Sequence, residues 1–526
     1  MEIAFQTSRT GAPTCAVGER RLHSAYSPEA EGERFLVKAM GDRRPGYFVL
    51  IGPCLDYLSP AIRREFPGAV IISIQLDAAF RGREIGEADH IRYPDDPVGL
   101  EVFLNEHVTE DCLTGIQVLE WPPAAAAYPA EARAASEFVR RALDRLSSSA
   151  ATLRAFGRRW ILNACRNYLL LERSLYLRID GRPIVVAAAG PSLEEALSIL
   201  GPRTGLFRLF AVSSALSACR ASGLEPELVA ATDGGFWSRY HLQTLADRSC
   251  PVAAPLTALP SSSLSRGMAS IILDQGNFPE PELCRLLGCG IRIPSHGTVT
   301  GAALHLASRA TSGPIIAAGM DLAAHDLRSH VRPHGFDFLC RDGQSRLEPF
   351  ETLLYGRETP MLTERVGCGP WRRSRSLAVY ADALAHEAVA PRFAGRLYRL
   401  LPSPVGLDGY STLDRGELEA LLPTGVEQDG APAPRLRVLP PPEIRAVALK
   451  AALEDWIRAI REACRDLSRG LLPASERTIE LLRAADLADW TAARRACRAG
   501  RDAGAAAVQL EERCAGFLED IEARLF

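Results

Sequence analysis

Features that identify several common protein classes are absent from this 526-residue sequence. No apolar run is long enough to span a bilayer. The N-terminal residues MEIAFQTSRTGAP lack the apolar core of a signal peptide. The 13 cysteines contain no CxxC pair, which argues against a disulfide framework and against a zinc site. We therefore expect a cytoplasmic protein with reduced thiols and no membrane span.

The motifs of the best-known nucleotide and metal enzymes are absent as well. Neither GxxxxGK[ST] nor GxGxxG occurs, which disfavours common ATPases and nicotinamide dehydrogenases. No HExxH or comparable ligand spacing occurs, so no metal centre is predicted. The net charge is −3, which argues against nucleic acid as a partner of the whole chain.

The length and the element pattern predict an α/β protein of three domains. Residues 1–150 are predicted to form a smaller, Rossmann-like N-terminal domain. Their segment YFVLIGPCLDYLSPAIRREFPGAVIISIQLD has the pattern strand, Gly52-Pro53 turn, helix, strand. No acid ends the second strand to hold a ribose, which favours a structural role over a cofactor site.

Residues 151–410 alternate between strands and helices and are predicted to form the catalytic domain. Their strands are apolar throughout, which indicates a Rossmann-like parallel sheet covered on both faces. Residues 411–526 are predicted to form a linker and a helical C-terminal domain, with the linker segment PTGVEQDGAPAPRLRVLPPPE starting at Pro423. We expect helices at Glu443–Arg469, Ser475–Arg483 and Asp489–Arg524.

The segment IVVAAAGPSLEEAL places Gly190, Pro191 and Ser192 between a buried strand and a helix. Ser192 and Glu195 match a capping box, and the amides of the first helical turn would favour a phosphate. A tight turn with an ordinary cap explains the same residues equally well.

Other predicted strands of this domain also end in small or polar residues. Ligands of a parallel sheet collect at this edge, so we expect these residues to meet a nucleotide. Asp233 could bond a ribose, hold a metal, accept a proton or simply form an Asx turn. The remaining candidates are Ser213, Ser214, Gly234, Ser295, His296, Gly297, Thr298 and Asp321.

Five of the ten histidines fall between His296 and His334. Imidazole titrates near neutral pH and suits proton transfer. His325 and His330 follow Asp321, so we expect them at the carboxyl edge of the sheet as candidate bases. His305 lies inside the preceding helix and is expected to be structural.

Four segments of the middle region resemble the MptE-like domain of the motility-associated factor (Maf) flagellin glycosyltransferases. The flanking segments LHSAYSPEAEGERF and FGRRWILNACRNYLLL, the second with Trp160, Asn163 and Asn167, resemble other parts of that family. The resemblance runs from about residue 20 to residue 410. The four segments are GRPIVVAAAGPSLEEALSIL, VAATDGGFWSRYHL, SHGTVTGAALHLA and PIIAAGMDLAAHD.

The same region resembles, more distantly, bacterial sialyltransferases that use CMP-activated acidic sugars. This resemblance implies that the strand-end loops hold cytidine, ribose and phosphate. Asp233 stands where those enzymes have a neutral asparagine. Their general base is a histidine that opens a later helix, but the corresponding stretch near Arg373–Ser376 contains serines and arginines.

The two resemblances imply an inverting glycosyltransferase that moves a nonulosonic acid from a CMP-sugar to Ser or Thr of flagellin. No cofactor beyond the CMP-sugar is expected, and Asp233, His325 or His330 would accept the proton. Archaeal relatives imply an alternative, a 6-hydroxymethylpterin diphosphokinase that uses ATP and Mg²⁺ with Asp233 or Asp321 as ligands. A non-catalytic flagellin-binding protein is a third possibility.

Overall fold

A computed structural model describes residues 3–113, 115–247, 250–258, 268–326, 328–358, 362–367, 369–423, 435–498 and 503–526. Most of the predicted linker, residues 424–434, lies outside the described residues. The chain divides into two compact units: Met1–Gly157 with Asp455–Asp520, and Arg158–Glu454 with Ile521–Phe526. We call them the first and the second unit. The boundaries predicted at residues 150 and 410 stay predictions.

The first unit contains two sheets. A small antiparallel sheet has the order β1-β2-β3, from β1 (Ile3–Thr7), β2 (Pro13–Val17) and β3 (Arg20–Arg21). A parallel sheet has the order β6-β5-β4-β7, from β4 (Tyr47–Ile51), β5 (Val70–Ile74), β6 (His90–Arg92) and β7 (Ile116–Glu120). Its helices are α1 (Pro28–Met40), α2 (Leu58–Glu65), α3 (Leu100–His107) and α4 (Pro122–Ala127).

The second unit is built on a large, mostly parallel sheet. A 42-residue helix, α5 (Pro129–Leu170), leads into it. Its first strands are β8 (Arg173–Leu175), β9 (Ile184–Ala187), β10 (Arg208–Val212), β11 (Leu228–Ala230), β12 (Val252–Pro255), β13 (Ala269–Asp274), β14 (Ile291–Arg292) and β15 (Ile315–Ala318). A separate antiparallel sheet contains β16 (Ala324–His325), β17 (Glu364–Arg365) and β18 (Trp371–Arg373). The last strands of the large sheet are β19 (Leu397–Leu400), β20 (Ser411–Leu413) and β21 (Leu436–Arg437).

Strand order in the large sheet reverses beside β9. The order is β20-β19-β15-β9-β10-β11-β12-β13-β8-β21, with β14 also paired to β13, and β21 is antiparallel to its neighbour. The chain runs from β9 to β10 on one side and returns to β15 on the other. The loops that follow β9 and β15 therefore flank the switch point, where ligands of such sheets usually bind.

The helices of the second unit connect these strands. They are α6 (Leu193–Leu200), α7 (Leu216–Ala221), α8 (Glu280–Leu287), α9 (Val299–Ala310), α10 (Gly335–Gly343), α11 (Phe350–Glu358), α12 (Arg375–Ala388) and α13 (Arg415–Leu421). Every residue of β9, β10 and β15 is buried. This burial explains why their sequences do not alternate between apolar and polar residues, with Arg208 at the start of β10 as the one charged exception.

Three long helices end the chain: α14 (Pro442–Ser468), α15 (Glu476–Arg498) and α16 (Gly504–Leu525). The mixed α/β class with Rossmann-like parallel sheets and a helical region is confirmed. Within the described part of the chain, none of the helices combines the length and the apolarity needed to cross a membrane.

Candidate functional site

The loops that flank the switch point are bonded to each other. The backbone N–H of Gly190 donates to the Gly319 carbonyl over 2.8 Å. The Ser192 N–H donates to Asp321 Oδ2 over 2.7 Å, and the Ser192 hydroxyl donates to Asp321 Oδ1. The capping-box prediction is wrong, because Ser192 is itself helical and its side chain caps nothing. The carboxylate of Asp321 lies at the start of α6 instead.

Asp321 is buried, with only 1% of its surface exposed. Burial raises the pKa of its carboxyl, while the hydrogen bonds from Ser192 and the charge of Arg399 oppose that rise. Arg399, on β19, donates to the Met320 carbonyl over 3.3 Å and also to the Ser403 hydroxyl. The sequence gives no local signal for these two partners, since they lie about 80 residues beyond Asp321.

The space beside Gly190 is occupied by the protein itself. A Cβ atom built on Gly190 would lie 2.5 Å from both Asp321 Oδ2 and the Gly319 carbonyl. A side chain at position 190 would therefore collide with the Asp321 carboxylate and disturb the fold, whether or not a phosphate binds nearby. The anion at this helix N-terminus is the chain's own carboxylate.

The segment after β16 covers the end of β9. The Val331 N–H donates to the Ala189 carbonyl over 2.9 Å, and Val331 is fully buried. Arg328 and the Arg332 N–H both donate to Glu194 in the first turn of α6, over 3.0 and 3.1 Å. This segment therefore forms a wall across the switch point.

The ends of β10 and β11 carry the next group of predicted residues. Ser213 is buried and Ser214 is half-buried in a short 3₁₀ turn after β10. Asp233, after β11, is exposed, and its Oδ1 accepts the Gly235 N–H over 2.7 Å, which is the Asx turn considered for it. Asn163 Nδ2 donates to the Gly234 carbonyl over 3.2 Å, so the motif in α5 holds this loop.

The loop Ser295–Thr298 opens α9 as predicted. Thr298 is the N-cap, and its hydroxyl accepts the Gly301 N–H over 3.0 Å. A Cβ on Gly297 would lie 3.0 Å from the ring of Tyr380, so the loop is close to α12. The N-terminus of α9 is the second helix start at this edge for which the sequence predicts a phosphate. Its first backbone amides remain candidates to bind one.

Three imidazole rings converge where the loops after β11 and β15 meet. The rings of His330 and His334 stack with their centroids 4.2 Å apart, and the ring of His241 lies 4.7 Å from that of His334. We call this group the histidine triplet. His241 belongs to the same segment, VAATDGGFWSRYHL, as Asp233.

Burial controls the titration of the triplet. It lowers the pKa of His241 and of His330 to about 4, and the pKa of His334 lies well below its usual value. The Asp233 carboxylate opposes the shift at His241, so these two side chains interact. All three rings are therefore neutral at pH 7, a state in which imidazole can accept a proton.

The structure separates His325 from the triplet contacts. Its ring packs against Trp371 with a centroid distance of 4.6 Å, and its backbone pairs with β18. The triplet thus links the loops of two predicted catalytic residues, Asp233 and His330. His325 belongs to the small antiparallel sheet.

A cavity of about 560 Å³ lies along the segment that follows His330. The Arg332 guanidinium lies 5.2 Å from the centre of the Phe350 ring at this cavity. Its size falls within the range of small-ligand sites. Its lining residues are Arg332, Pro333, Asp337, Arg341, Gln344, Phe350 and Glu351.

Residues 162–326 match the model of the family described as 6-hydroxymethylpterin diphosphokinase MptE-like. The match begins in α5 and ends just after β16. It therefore contains the loops that follow β9, β10, β11 and β15. Of the predicted site residues, only His330 lies beyond its end.

The fold is similar to a solved MAf glycosyltransferase from Magnetospirillum magneticum AMB-1. The TM-score is 0.59 with 12% sequence identity, over 99% of this chain and 91% of that one. An uncharacterized protein from Treponema pallidum (strain Nichols) is 30% identical over 258 residues. That match covers 49% of this chain and 57% of the relative. The resemblance drawn from the motifs, to Maf proteins with an MptE-like domain, is confirmed.

Proposed function

We propose that the second unit is a glycosyltransferase that transfers a nonulosonic acid from a CMP-sugar to Ser or Thr of flagellin. The single observation that carries the proposal is the convergence of Asp233, His241 and His330 at the carboxyl edge of the parallel sheet. The likeness to a MAf glycosyltransferase supports the same class of activity. Flagellin and the sugar come from the motif resemblance alone.

In this proposal the nucleotide lies along the loops after β10, β11 and β14. Ser213, Ser214 and Gly234 contact the nucleoside, and the amides that open α9 beyond Gly297 face the phosphate. Gly190, Pro191 and Ser192 act differently from our first expectation. They shape the site through Asp321, whose carboxylate already accepts a hydrogen bond from the Ser192 N–H.

The transfer forms a bond between the acceptor oxygen and the anomeric carbon of the sugar. The bond from that carbon to the CMP phosphate breaks, and its electron pair leaves with the phosphate. The acceptor proton goes to Asp233, His325 or His330. Contacts of the histidine triplet favour Asp233 and His330 over His325. Arg332 and Arg341 at the adjacent cavity suit the carboxylate of the sugar.

The test measures binding and transfer on the same preparation. Calorimetry with CMP should detect binding without added metal, and intact-mass analysis should show flagellin gaining the sugar mass. Asp233→Asn or His330→Gln should lower the transfer rate at least about 100-fold, the lower range for the loss of a general base. Asp408→Asn and His386→Gln, both at exposed positions, are the matched controls.

Absence of CMP binding and of any flagellin mass change would overturn the proposal. The family match favours one alternative, diphosphate transfer from ATP to a hydroxymethylpterin, and binding of ATP only with Mg²⁺ would support it. Asp233 is the better placed of the two ligands suggested for that ion, because Asp321 is buried against Ser192. Flagellin binding that survives every site variant, without transfer, would indicate a binding protein.

A further inference from the structure

Two histidines and one glutamate form a separate cluster behind the loop that opens α9. His296 precedes α9, His305 lies within it, and Glu387 lies near the end of α12. One ligand atom from each residue lies within 4.8 Å of the other two. His305 Nδ1 is 3.5 Å from Glu387 Oε1. We call these three residues the His-His-Glu cluster.

The cluster contains polar atoms that lack partners. Among the described residues, neither ring nitrogen of His305 has a hydrogen-bond partner, and His296 Nε2 has none either. His305 is only 3% exposed, so its ring is shielded from bulk solvent. A buried polar group left unpaired is destabilising, and a bound ion or water is one explanation for such a group.

We propose that the His-His-Glu cluster binds one divalent transition-metal ion, with Zn²⁺ as the best match. Two imidazole nitrogens and one carboxylate oxygen are a ligand set that zinc uses in proteins, with water in the fourth position. Ligands about 2.0–2.1 Å from a tetrahedral ion lie about 3.4 Å apart. The His305–Glu387 pair, at 3.5 Å, already has about that separation. The His296 ligand atom lies within 4.8 Å of the other two, so it needs to approach by at most about 1.4 Å.

The protonation state of the two rings suits a metal. Burial and the nearby charge of Arg392 lower the pKa of His296 to about 4 and that of His305 to about 3. Both rings are neutral at pH 7, so their lone pairs are available to an ion. The 3.5 Å contact between His305 and Glu387 is consequently not an ion pair at that pH.

Arg392 would compete with a metal ion for the Glu387 carboxylate. Its guanidinium forms an ion pair with Glu387, and its side chain is one-third exposed. Arg309 adds a second positive charge nearby. An ion bound by Glu387 must share or displace the Arg392 contact, and the exposure of that side chain gives it room to move. Removal of Arg392 is therefore expected to strengthen metal binding.

A metal here would join two elements of the fold. It would connect the loop that contains His296 to α12, and so hold in place a loop that the proposed function assigns to the nucleotide. The inference itself is independent of that function, because it rests on ligand geometry and unpaired nitrogens. The sequence shows no ligand motif, since residues 296, 305 and 387 follow no recognised spacing.

The experiment uses the full chain, stripped with EDTA and dialysed against metal-free buffer. Zn²⁺ is titrated against a chromophoric chelator, and Co²⁺ is added separately to record visible absorption. We expect one ion per chain, a higher thermal midpoint with Zn²⁺, and Co²⁺ bands typical of four-coordination. His296→Gln and Glu387→Gln should each weaken Zn²⁺ binding at least about 100-fold, beyond the loss typical of outer-shell changes.

Arg392→Gln should tighten Zn²⁺ binding, and no loss of a ligand would produce that result. His386→Gln, an exposed histidine beside Glu387, should leave the affinity unchanged and is the matched control. Circular dichroism identifies any variant that fails to fold. His296 lies on a loop, so His296→Gln is expected to fold and keeps the test decisive.

Zinc binding that is absent, or that is unchanged in His296→Gln, Glu387→Gln and Arg392→Gln, would overturn the proposal. None of these measurements needs a nucleotide or flagellin. A chain that binds Zn²⁺ but transfers no sugar would therefore overturn the proposed function alone. A chain that transfers sugar but binds no Zn²⁺ would overturn this inference alone.

Discussion

Each unit contains a strand that runs into Gly-Pro and then into a helix, yet the two turns are completed differently. In the first unit, Asp56 accepts the Ser59 N–H over 2.9 Å and the Ser59 hydroxyl over 2.6 Å. In the second unit, Asp321 makes the same two bonds to Ser192 from 129 residues away. One turn is completed by its own sequence and the other by a distant strand end.

The surroundings of the two turns differ in the same way. A Cβ on Gly52 would meet the apolar side chains of Leu76 and Ala124, at 2.7 and 3.0 Å. A Cβ on Gly190 would meet a carboxylate and a carbonyl oxygen. Closure by a distant strand brings further loops to the edge of the sheet, and with them the histidine triplet. The comparison teaches that the same local motif can be a structural turn or part of a site.

The largest expected difference between the two units is in how much stability each loses on acidification. Burial holds the pKa of five histidines in the second unit below the usual value. The pKa is about 3 to 4 for His241, His296, His305 and His330, and that of His334 is also well below the usual value. The unfolded chain binds protons below about pH 6.5 and the folded chain does not until about pH 4. Stability therefore falls as pH drops through that window, by about 1.4 kcal/mol per pH unit for each group.

Hydrogen exchange at pH 7 and pH 5, followed peptide by peptide, measures this difference. His23 is the buried histidine with a comparable shift in the first unit, with its pKa lowered to about 4 by burial. We expect amides of the large sheet to lose more protection than those of β4 and β5. Equal loss in both sheets would show that the histidines do not govern acid stability.

Gly190→Ala should be the most disruptive single substitution in the two turns. The added methyl group meets two oxygen atoms at 2.5 Å, and we expect a loss of about 3 kcal/mol in the free energy of unfolding. Urea denaturation measures this change in the free energy of unfolding. Gly201→Ala is the control, because a Cβ there meets nothing within 4 Å. A Gly190→Ala protein as stable as the Gly201→Ala protein would mean that the two loops separate easily.

Asp321→Ala and Asp56→Ala should each destabilise the protein by about 2 kcal/mol, since each leaves a buried N–H and a hydroxyl unpaired. Their local effects should differ. Asp56→Ala should increase hydrogen exchange around residues 56–60 alone. Asp321→Ala should increase it in two separate segments, around 190–194 and around 319–322. Exchange confined to the second segment would argue against the link to Ser192.

Asp233→Asn should have the smallest effect on stability, under about 0.5 kcal/mol, because asparagine forms the same Asx turn and the residue is exposed. The urea midpoint should match that of the unchanged chain. Any loss of transfer in this variant then reflects chemistry and not folding. A large drop in the midpoint would instead assign Asp233 a structural role.

Sequence patterns predicted the central elements of the second unit closely. Helical spacing and fully apolar runs in the sequence coincide with α6, α9 and β15, whose bounds are Leu193–Leu200, Val299–Ala310 and Ile315–Ala318. Fully apolar strands and helical spacing are local signals, which explains this success. The strands β12, β19 and β20 were not predicted.

The site was predicted less completely for the same physical reason. The sequence indicated which loops reach the carboxyl edge, because strand ends and helix starts are local features. It did not indicate Arg399 or Ser403, and it predicted the Ser192 amide as a phosphate ligand although Asp321 already accepts the hydrogen bond from that amide. Local sequence patterns do not indicate which residues far apart along the chain come into contact.

Local composition and periodicity by themselves determined the α/β class, the positions of the central helices and strands of the second unit, and the polar character of the strand ends. Tertiary structure alone decided that β15 returns beside β9 and so brings the Asp321 carboxylate to the start of α6. It also gathered the histidine triplet and the His-His-Glu cluster. The reason is that strand order and side-chain contacts depend on the free energy of the whole packed sheet, which no short segment encodes.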